Sequence, residues 1–210
     1  MHIFLQGPSG TGKSTILREV FLPYIKSAAG FAVQRLLEKG STAGFKAFCL
    51  DGEFPPLNAV YDSSTEGVFI LRRKWMGYDI LEQIIMEAEK KEKNPEVKFI
   101  LLDEIGGIEL CSPVFMKILE KLLSGNKPCY GVFKSRENLI RSSLNLQFKD
   151  SCGGLLESHQ HLEELIRTKG ELLSVTEQNR GEIREHLEKS IHYFDPRILR
   201  INIKRHGCKT

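Results

Sequence analysis

The sequence predicts an α/β domain, a mostly parallel sheet covered by helices on both faces. Three observations carry this. The stretch Gly7-Pro8-Ser9-Gly10-Thr11-Gly12-Lys13-Ser14 matches the phosphate-binding pattern Gly-x-x-x-x-Gly-Lys-Ser/Thr at every fixed position. It lies between a strand-length apolar segment, residues 2–6, and a run with helical apolar spacing at Ile16, Leu17, Val20 and Phe21. Further on, four consecutive apolar residues, 99–102, lead into Asp103-Glu104, as in a strand buried on both faces of a parallel sheet.

The elements follow in order. After the first helix, Pro23 and Gly30 break the pattern, with an extension of the helix possible between them. Residues 30–36 and 44–50 read as strands around a polar, glycine-bearing turn, hence a β-hairpin inserted into the sheet. Residues 51–67 read as an exposed loop and 68–71 as a short strand. A helix is expected within 77–94, with Leu81, Ile84, Ile85 and Ala88 on its apolar face and a charged final turn at 89–93 that suits the helix dipole. The strand at 97–104 follows, then a helix from Ser112 to about Leu123, a strand at 128–134 and a short helix near 136–143. Residues 151–170 carry no clear pattern; His159 and His161, two apart with no third ligand, read as surface histidines rather than a metal site. A late strand at 172–176 and a helix from about Asn179 to Ile191 complete the alternation.

Composition bounds the function. The 210 residues suit one domain spanning 1–210, and no repeat or linker divides them. Hydrophobic content of 41% and charged content of 27% are those of an ordinary globular protein. A net charge of +3 is too mild to indicate nucleic acid. The five cysteines, at 49, 111, 129, 152 and 208, show no C-x-x-C spacing and read as buried reduced thiols. No signal peptide is visible and no apolar run approaches the length of a membrane span, so a cytoplasmic protein with no membrane partner is expected.

The phosphate loop sets the chemistry. Glycines at 7, 10 and 12 allow backbone N–H groups to converge on a polyphosphate, and Ser14 and Thr15 open a helix whose positive end faces it. Pro8, Ser9 and Thr11 complete the cradle. Lys13 is placed to reach the β- and γ-phosphates and Ser14 to ligate Mg²⁺. Asp103, emerging from its buried strand, is the expected second Mg²⁺ element, acting through water. Glu104 beside it can orient or deprotonate an attacking water, which favours hydrolysis. Glu109 either adds polar contacts or is a helix-entry acid.

These residues, with Gly30-Phe31, Gly44-Phe45, the run Leu102-Asp103-Glu104-Ile105-Gly106-x-x-Glu109-Leu110, and Val175-Thr176-x-x-Asn179-Arg180, resemble the small nucleoside-triphosphatases of the thermophile and cancer-related NTPase family. The order and spacing cover most of residues 1–190. The resemblance implies a RecA-like P-loop fold and slow, Mg²⁺-dependent hydrolysis of nucleoside triphosphates with broad base tolerance. It carries Lys13, Ser14, Asp103 and Glu104 over directly. The hairpin departs from the family. An acid and an arginine usually follow the first Gly-Phe, where this chain reads Ala32-Val33-Gln34-Arg35, and Ser41-Thr42-Ala43 stand where an arginine is usual.

Base choice is weakly written. Asn126-Lys127-Pro128-Cys129 lacks the acid of a guanine-reading Asn-Lys-x-Asp motif. Asn179 and Arg180 either border the base or serve as a helix cap and a surface charge. Transition-state charge needs further cations, for which Lys134, Arg136, Arg141 and Arg72-Arg73 are candidates. The basic C-terminal tail, with apolar residues alternating at 199, 201 and 203, reads as a last strand rather than a nucleic-acid arm. The expectation is therefore an enzyme converting ATP, GTP or another NTP and water to NDP and phosphate, with Lys13 and Glu104 as catalytic residues. The alternatives are a small nucleotide or metabolite kinase, for which Arg72-Arg73-Lys74 is the hint of a lid, and a non-catalytic nucleotide switch.

Overall fold

The computed structural model describes residues 1–146 and 153–194. Its strands are β1 (His2–Gln6), β2 (Ala28–Glu38), β3 (Ser41–Cys49), β4 (Asn58–Val60), β5 (Val68–Leu71), β6 (Lys74–Trp75), β7 (Phe99–Ile105), β8 (Cys129–Phe133) and β9 (Gly170–Ser174). Its helices are α1 (Lys13–Phe21), α2 (Asp79–Glu92), α3 (Pro113–Ser124), α4 (Arg136–Asn145), α5 (Leu155–Lys169) and α6 (Arg180–Phe194). The strands join in one sheet, ordered β6-β5-β3-β2-β7-β8-β1-β9, with β4 also paired to β2.

Side-chain alternation explains why helices cover both faces. Successive residues of a strand point to opposite sides. Ile3 and Leu5 of β1, Leu101 of β7, and Tyr130 and Val132 of β8 pack with Leu17 and Phe21 of α1 and Leu187 of α6. Phe4, Ile100, Leu102, Cys129 and Phe133 pack on the other face with Ile85 of α2, Phe115 and Leu119 of α3, and Leu162 and Ile166 of α5. Both sets must be apolar, so the strands read as uninterrupted apolar runs.

β2, β7, β8, β1 and β9 run parallel. Their carboxyl ends therefore share one edge, where ligands of open α/β sheets bind. β8 lies between the phosphate-loop strand β1 and the Asp103 strand β7, the interposition expected of a RecA-like sheet.

β2 is longer than its parallel neighbours, and its excess length builds the inserted hairpin. Ala28–Phe31 pairs with β7, while Phe31–Glu38 continues outward as the antiparallel partner of β3. The outer half of β2 would otherwise present an open edge beyond β7, and β4 pairs with it at Arg35–Leu37. The join is tight at Gly30, which has φ of 128° and faces Leu101 so closely that a Cβ would land on the Leu101 carbonyl oxygen. Only glycine fits there.

Several expectations are refined. The helix extension after α1 is a 3-10 helix, Leu22–Ser27. The loop expected over 51–67 contains β4. The unpatterned stretch 151–170 contains α5, whose buried face is Leu155, His159, Leu162 and Ile166. His159 is therefore a core residue, not a surface one, while His161 is exposed and pairs with Glu120 at 2.8 Å. Cys49 and Cys129 are free thiols, but Cys111 is disulfide-bonded, contrary to the all-reduced expectation. The expected strand at 199–203, the basic tail, and residues 147–148 of the segment after α4 lie outside the described residues. No helix among the described residues is long and apolar enough to cross a membrane.

Candidate functional site

The phosphate loop turns from the buried end of β1 into α1. Gly7, Gly10 and Gly12 all have positive φ, at 136°, 87° and 85°, the backbone region that glycine enters without steric cost. Gly12 is the N-terminal cap of α1 without a capping side chain, so the first-turn amides stay available. Lys13 folds back over the loop, donating to the carbonyls of Gly7 at 2.9 Å and Pro8 at 2.6 Å. Thr11 donates to the Pro8 carbonyl at 3.0 Å. Asn138 of α4 donates to the Gly7 carbonyl at 3.0 Å, so α4 braces the loop from outside.

Asp103 and Glu104 are adjacent in sequence but occupy different environments. The register between β7 and β8 shifts between Leu102 and Ile105, and Glu104 has a left-handed φ of 69°. This break turns the second carboxylate out of the sheet: the Asp103 side chain is 4% exposed and that of Glu104 41%. Left-handed backbone at a residue other than glycine is costly and collects at functional positions.

Asp103 accepts a hydrogen bond from Ser14 Oγ at 2.8 Å and faces Arg18 Nη2 at 3.6 Å. Burial pushes its carboxyl up to about 6, against the pull of Ser14 and Arg18. Arg18 also donates to the carbonyls of Pro55 and Val33 and lies over the Phe54 ring. It lies four residues after Ser14 on α1, so both side chains share the face that meets Asp103.

Glu104 meets Lys134, the residue after β8, at 3.2 Å. That ammonium, ahead of the opposing effect of burial, holds the Glu104 carboxyl below its ordinary range, with Lys13 and Arg35 assisting. Lys134 itself is held by its backbone: its carbonyl bonds the ring of His159 at 2.7 Å, and His159 packs against Phe133. Glu109 is buried and accepts from the Gly107 amide at 2.7 Å, closing the 3-10 turn Ile108–Cys111. Burial pushes its carboxyl up, while Lys134 opposes.

On the other flank, the segment after β9 touches the loop. A Cβ on Gly7 would sit 2.5 Å from the Val175 carbonyl, and one on Gly12 would sit 2.7 Å from Arg180 Nη2. The Arg180 guanidinium thus lies against the phosphate loop. Asn179 is occupied in its own turn, accepting from the Thr176 amide and donating to the Ser174 carbonyl, both at 2.8 Å. Lys127 bonds the carbonyls of Glu92 and Asn94, at the amino end of β8 and away from the loop.

A cavity of about 680 Å³ opens at this edge, lined by Ser9, Gly10 and Gly12 to Thr15 of the loop and by Glu104, Glu109, Lys134 and Arg141. It gathers the loop, Lys13, Ser14, Thr15 and Glu104 in one place, with Asp103 behind Ser14. Among the candidate cations, Lys134, Arg141 and Arg73 line it, and Arg72 and Arg136 do not. Sequence reading did not single out Arg18 or Asn138. The four-residue spacing from Ser14 marked Arg18, whereas Asn138 reaches Gly7 across 131 residues and carries no local signal.

Oxygen donors from Ser14 and Asp103, with phosphate oxygens, make a set suited to a hard divalent cation. Loop amides and Lys13 can hold phosphate charge, and Glu104, ionised and open to the cavity, can accept a hydrogen bond from water.

Comparison with known proteins agrees with this geometry. The sequence profile of the NTPase family matches residues 2–188. The chain is 30% identical over 167 residues to nucleoside-triphosphatase THEP1 of Thermotoga petrophila, covering 72% of this chain and 88% of that protein. It is 28% identical over 132 residues to the cancer-related nucleoside-triphosphatase homolog of Mus musculus, covering 59% and 69%. In fold it is similar to a human cancer-related nucleoside triphosphatase solved in solution, with a TM-score of 0.59 at 20% identity over 92% of this chain and 98% of that one. A phosphate loop bonded through Ser14 to Asp103, a P-loop α/β sheet and a family match spanning nearly the whole chain lead to one conclusion: the chain belongs to the NTPase family.

Proposed function

We propose that the protein hydrolyses ATP and other nucleoside triphosphates to the diphosphate and phosphate, in the cytoplasm and with Mg²⁺. The observation that carries this reading is the Ser14–Asp103 hydrogen bond, which joins the two halves of the site beside the ionised Glu104. The loop amides and Lys13 bind the phosphates, Lys13 exchanging the Gly7 and Pro8 carbonyls for phosphate oxygens. Ser14 and Asp103 would hold Mg²⁺, which would offset the negative charge of the phosphates. Glu104 orients the attacking water and accepts its hydrogen bond, and Lys134 holds that carboxylate in place. Arg180, against Gly12, contacts the phosphate chain at its nucleoside end. Asn179 acts by shaping the turn that presents Arg180. No contact in this set reads a base edge, in keeping with broad base tolerance. Phosphate release from ATP, GTP, CTP and UTP, with Mg²⁺ and with a chelator, tests the reading. Turnover of several triphosphates that stops on chelation is expected, and no turnover of any would refute it.

A further inference from the structure

The cavity holds about 680 Å³, a volume typical of sites for whole small molecules, and its lining reaches well beyond the phosphate loop and Glu104. Its extra space lies on one side only. It runs from the phosphate loop past Glu104 to the antiparallel part of the sheet, and its wall includes none of Val175, Asn179 and Arg180. On the reading above, the nucleoside leaves by Arg180, so this space faces the reacting end of the phosphate chain.

The far wall has its own chemistry. Phe45 of β3, Phe69 of β5 and Trp75 of β6 line it, with Phe69 and Trp75 edge-to-face at 6.1 Å. The indole N–H of Trp75 is buried without a hydrogen-bond partner among the described residues, although tryptophan N–H groups usually find one. Arg35 and Arg73 add positive charge. Arg73 is held by an unusual turn. The two residues joining β5 to β6, Arg72 and Arg73, both have left-handed φ, at 47° and 63°. Such two-residue turns normally take Asn-Gly. Here Arg72 bonds Glu38 at 2.9 Å and Arg73 lines the cavity.

We propose that this aromatic half of the cavity binds a second small molecule, a flat heterocycle carrying a hydroxyl group, and that the protein transfers the γ-phosphoryl group of its NTP to that hydroxyl. The inference rests on the NTP-binding site described above. In the step, the hydroxyl oxygen bonds to the γ-phosphorus and the bond from that phosphorus to the β–γ bridging oxygen breaks. NDP leaves with the bridging oxygen, and the hydroxyl proton passes to the Glu104 carboxylate. The products are NDP and a phosphate monoester. Water takes the same place when no acceptor is bound.

Trp75 is the sole tryptophan of the chain, so its fluorescence reports this wall directly. The protein is loaded with Mg²⁺ and β,γ-imido-ATP and titrated with adenosine, guanosine, cytidine, uridine, pyridoxine and thiamine. At least one should quench saturably, with binding at least tenfold weaker in Phe45→Ala and in the surface variant Arg73→Ala. The same compound with γ-labelled ATP should yield a labelled monoester. Absence of saturable quenching by any of the six, or quenching without monoester, would overturn the proposal. Quenching by β,γ-imido-ATP itself, with the six compounds competing against it, would also overturn it, since the wall would then hold the base of the NTP. Phosphate release without acceptor, measured alongside, separates the two readings. Release with no monoester removes transfer and leaves hydrolysis, while monoester with no release does the reverse.

Discussion

Ser14 Oγ and Asp103 Oδ1 are joined at 2.8 Å across 89 positions of sequence, and this bond registers α1 against the carboxyl end of β7. The buried Asp103 is an energetic burden to the metal-free fold. Its carboxyl is raised to about 6 by burial, so its stabilising contribution is complete below the unfolded value of about 3.9 and is lost as pH rises through about 6. Asp103→Asn does not titrate. Comparative unfolding of metal-free protein should show the stability difference moving in favour of the variant by about 3 kcal/mol between about pH 4 and pH 8. A pH-independent difference would place the cost elsewhere.

Lys134 acts on Glu104, whose carboxyl it lowers more than any other group does. In Lys134→Met that carboxyl should rise, so the acid limb of the pH–kcat/KM profile should move toward neutral pH. Turnover at pH 7 should fall by about 10- to 100-fold through lost charge stabilisation and lost positioning. A profile displaced to lower pH would contradict the assignment.

Arg180 contacts the loop from the β9 side and does not line the cavity that Glu104 lines. Arg180→Ala should raise KM for ATP by about tenfold, the scale of one charge-assisted hydrogen bond, with kcat little changed. Steady-state kinetics would show whether the loss falls on kcat instead.

Gly30 carries the close approach of β2 to β7, with φ of 128° and its α-carbon facing the Leu101 backbone. Gly30→Ala combines left-handed strain with a backbone clash and should cost about 3 kcal/mol or more. Urea unfolding of the variant would measure it.

The fold was legible wherever the pattern was local. Residues 2–6, 97–104 and 128–134 read as strands because both of their faces are buried in cores, and the loop at Gly7–Ser14 has a spacing of its own. The residues 151–170 were opaque, although Leu155, His159, Leu162 and Ile166 have helical spacing. One of those four is a histidine, buried because Lys134 offers it a carbonyl from another element, and a polar residue on an apolar face hides the period. β4 was missed because its three residues form a strand only by pairing with the outer half of β2. In the site, Lys13, Ser14, Asp103 and Glu104 were legible from type and order. What could not be read was the environment: the break in β7 that buries one carboxylate and exposes the next is a tertiary feature.

In the proposed reaction Glu104, turned into the cavity and held ionised by Lys134, directs the attack of water on a triphosphate bound by the loop. The direct measurement is phosphate release by Glu104→Gln beside wild type, with nucleotide affinity determined on the same preparations. A fall in kcat of about 10²- to 10⁴-fold is expected, with affinity changed only a few-fold. Unchanged turnover in the variant would contradict it.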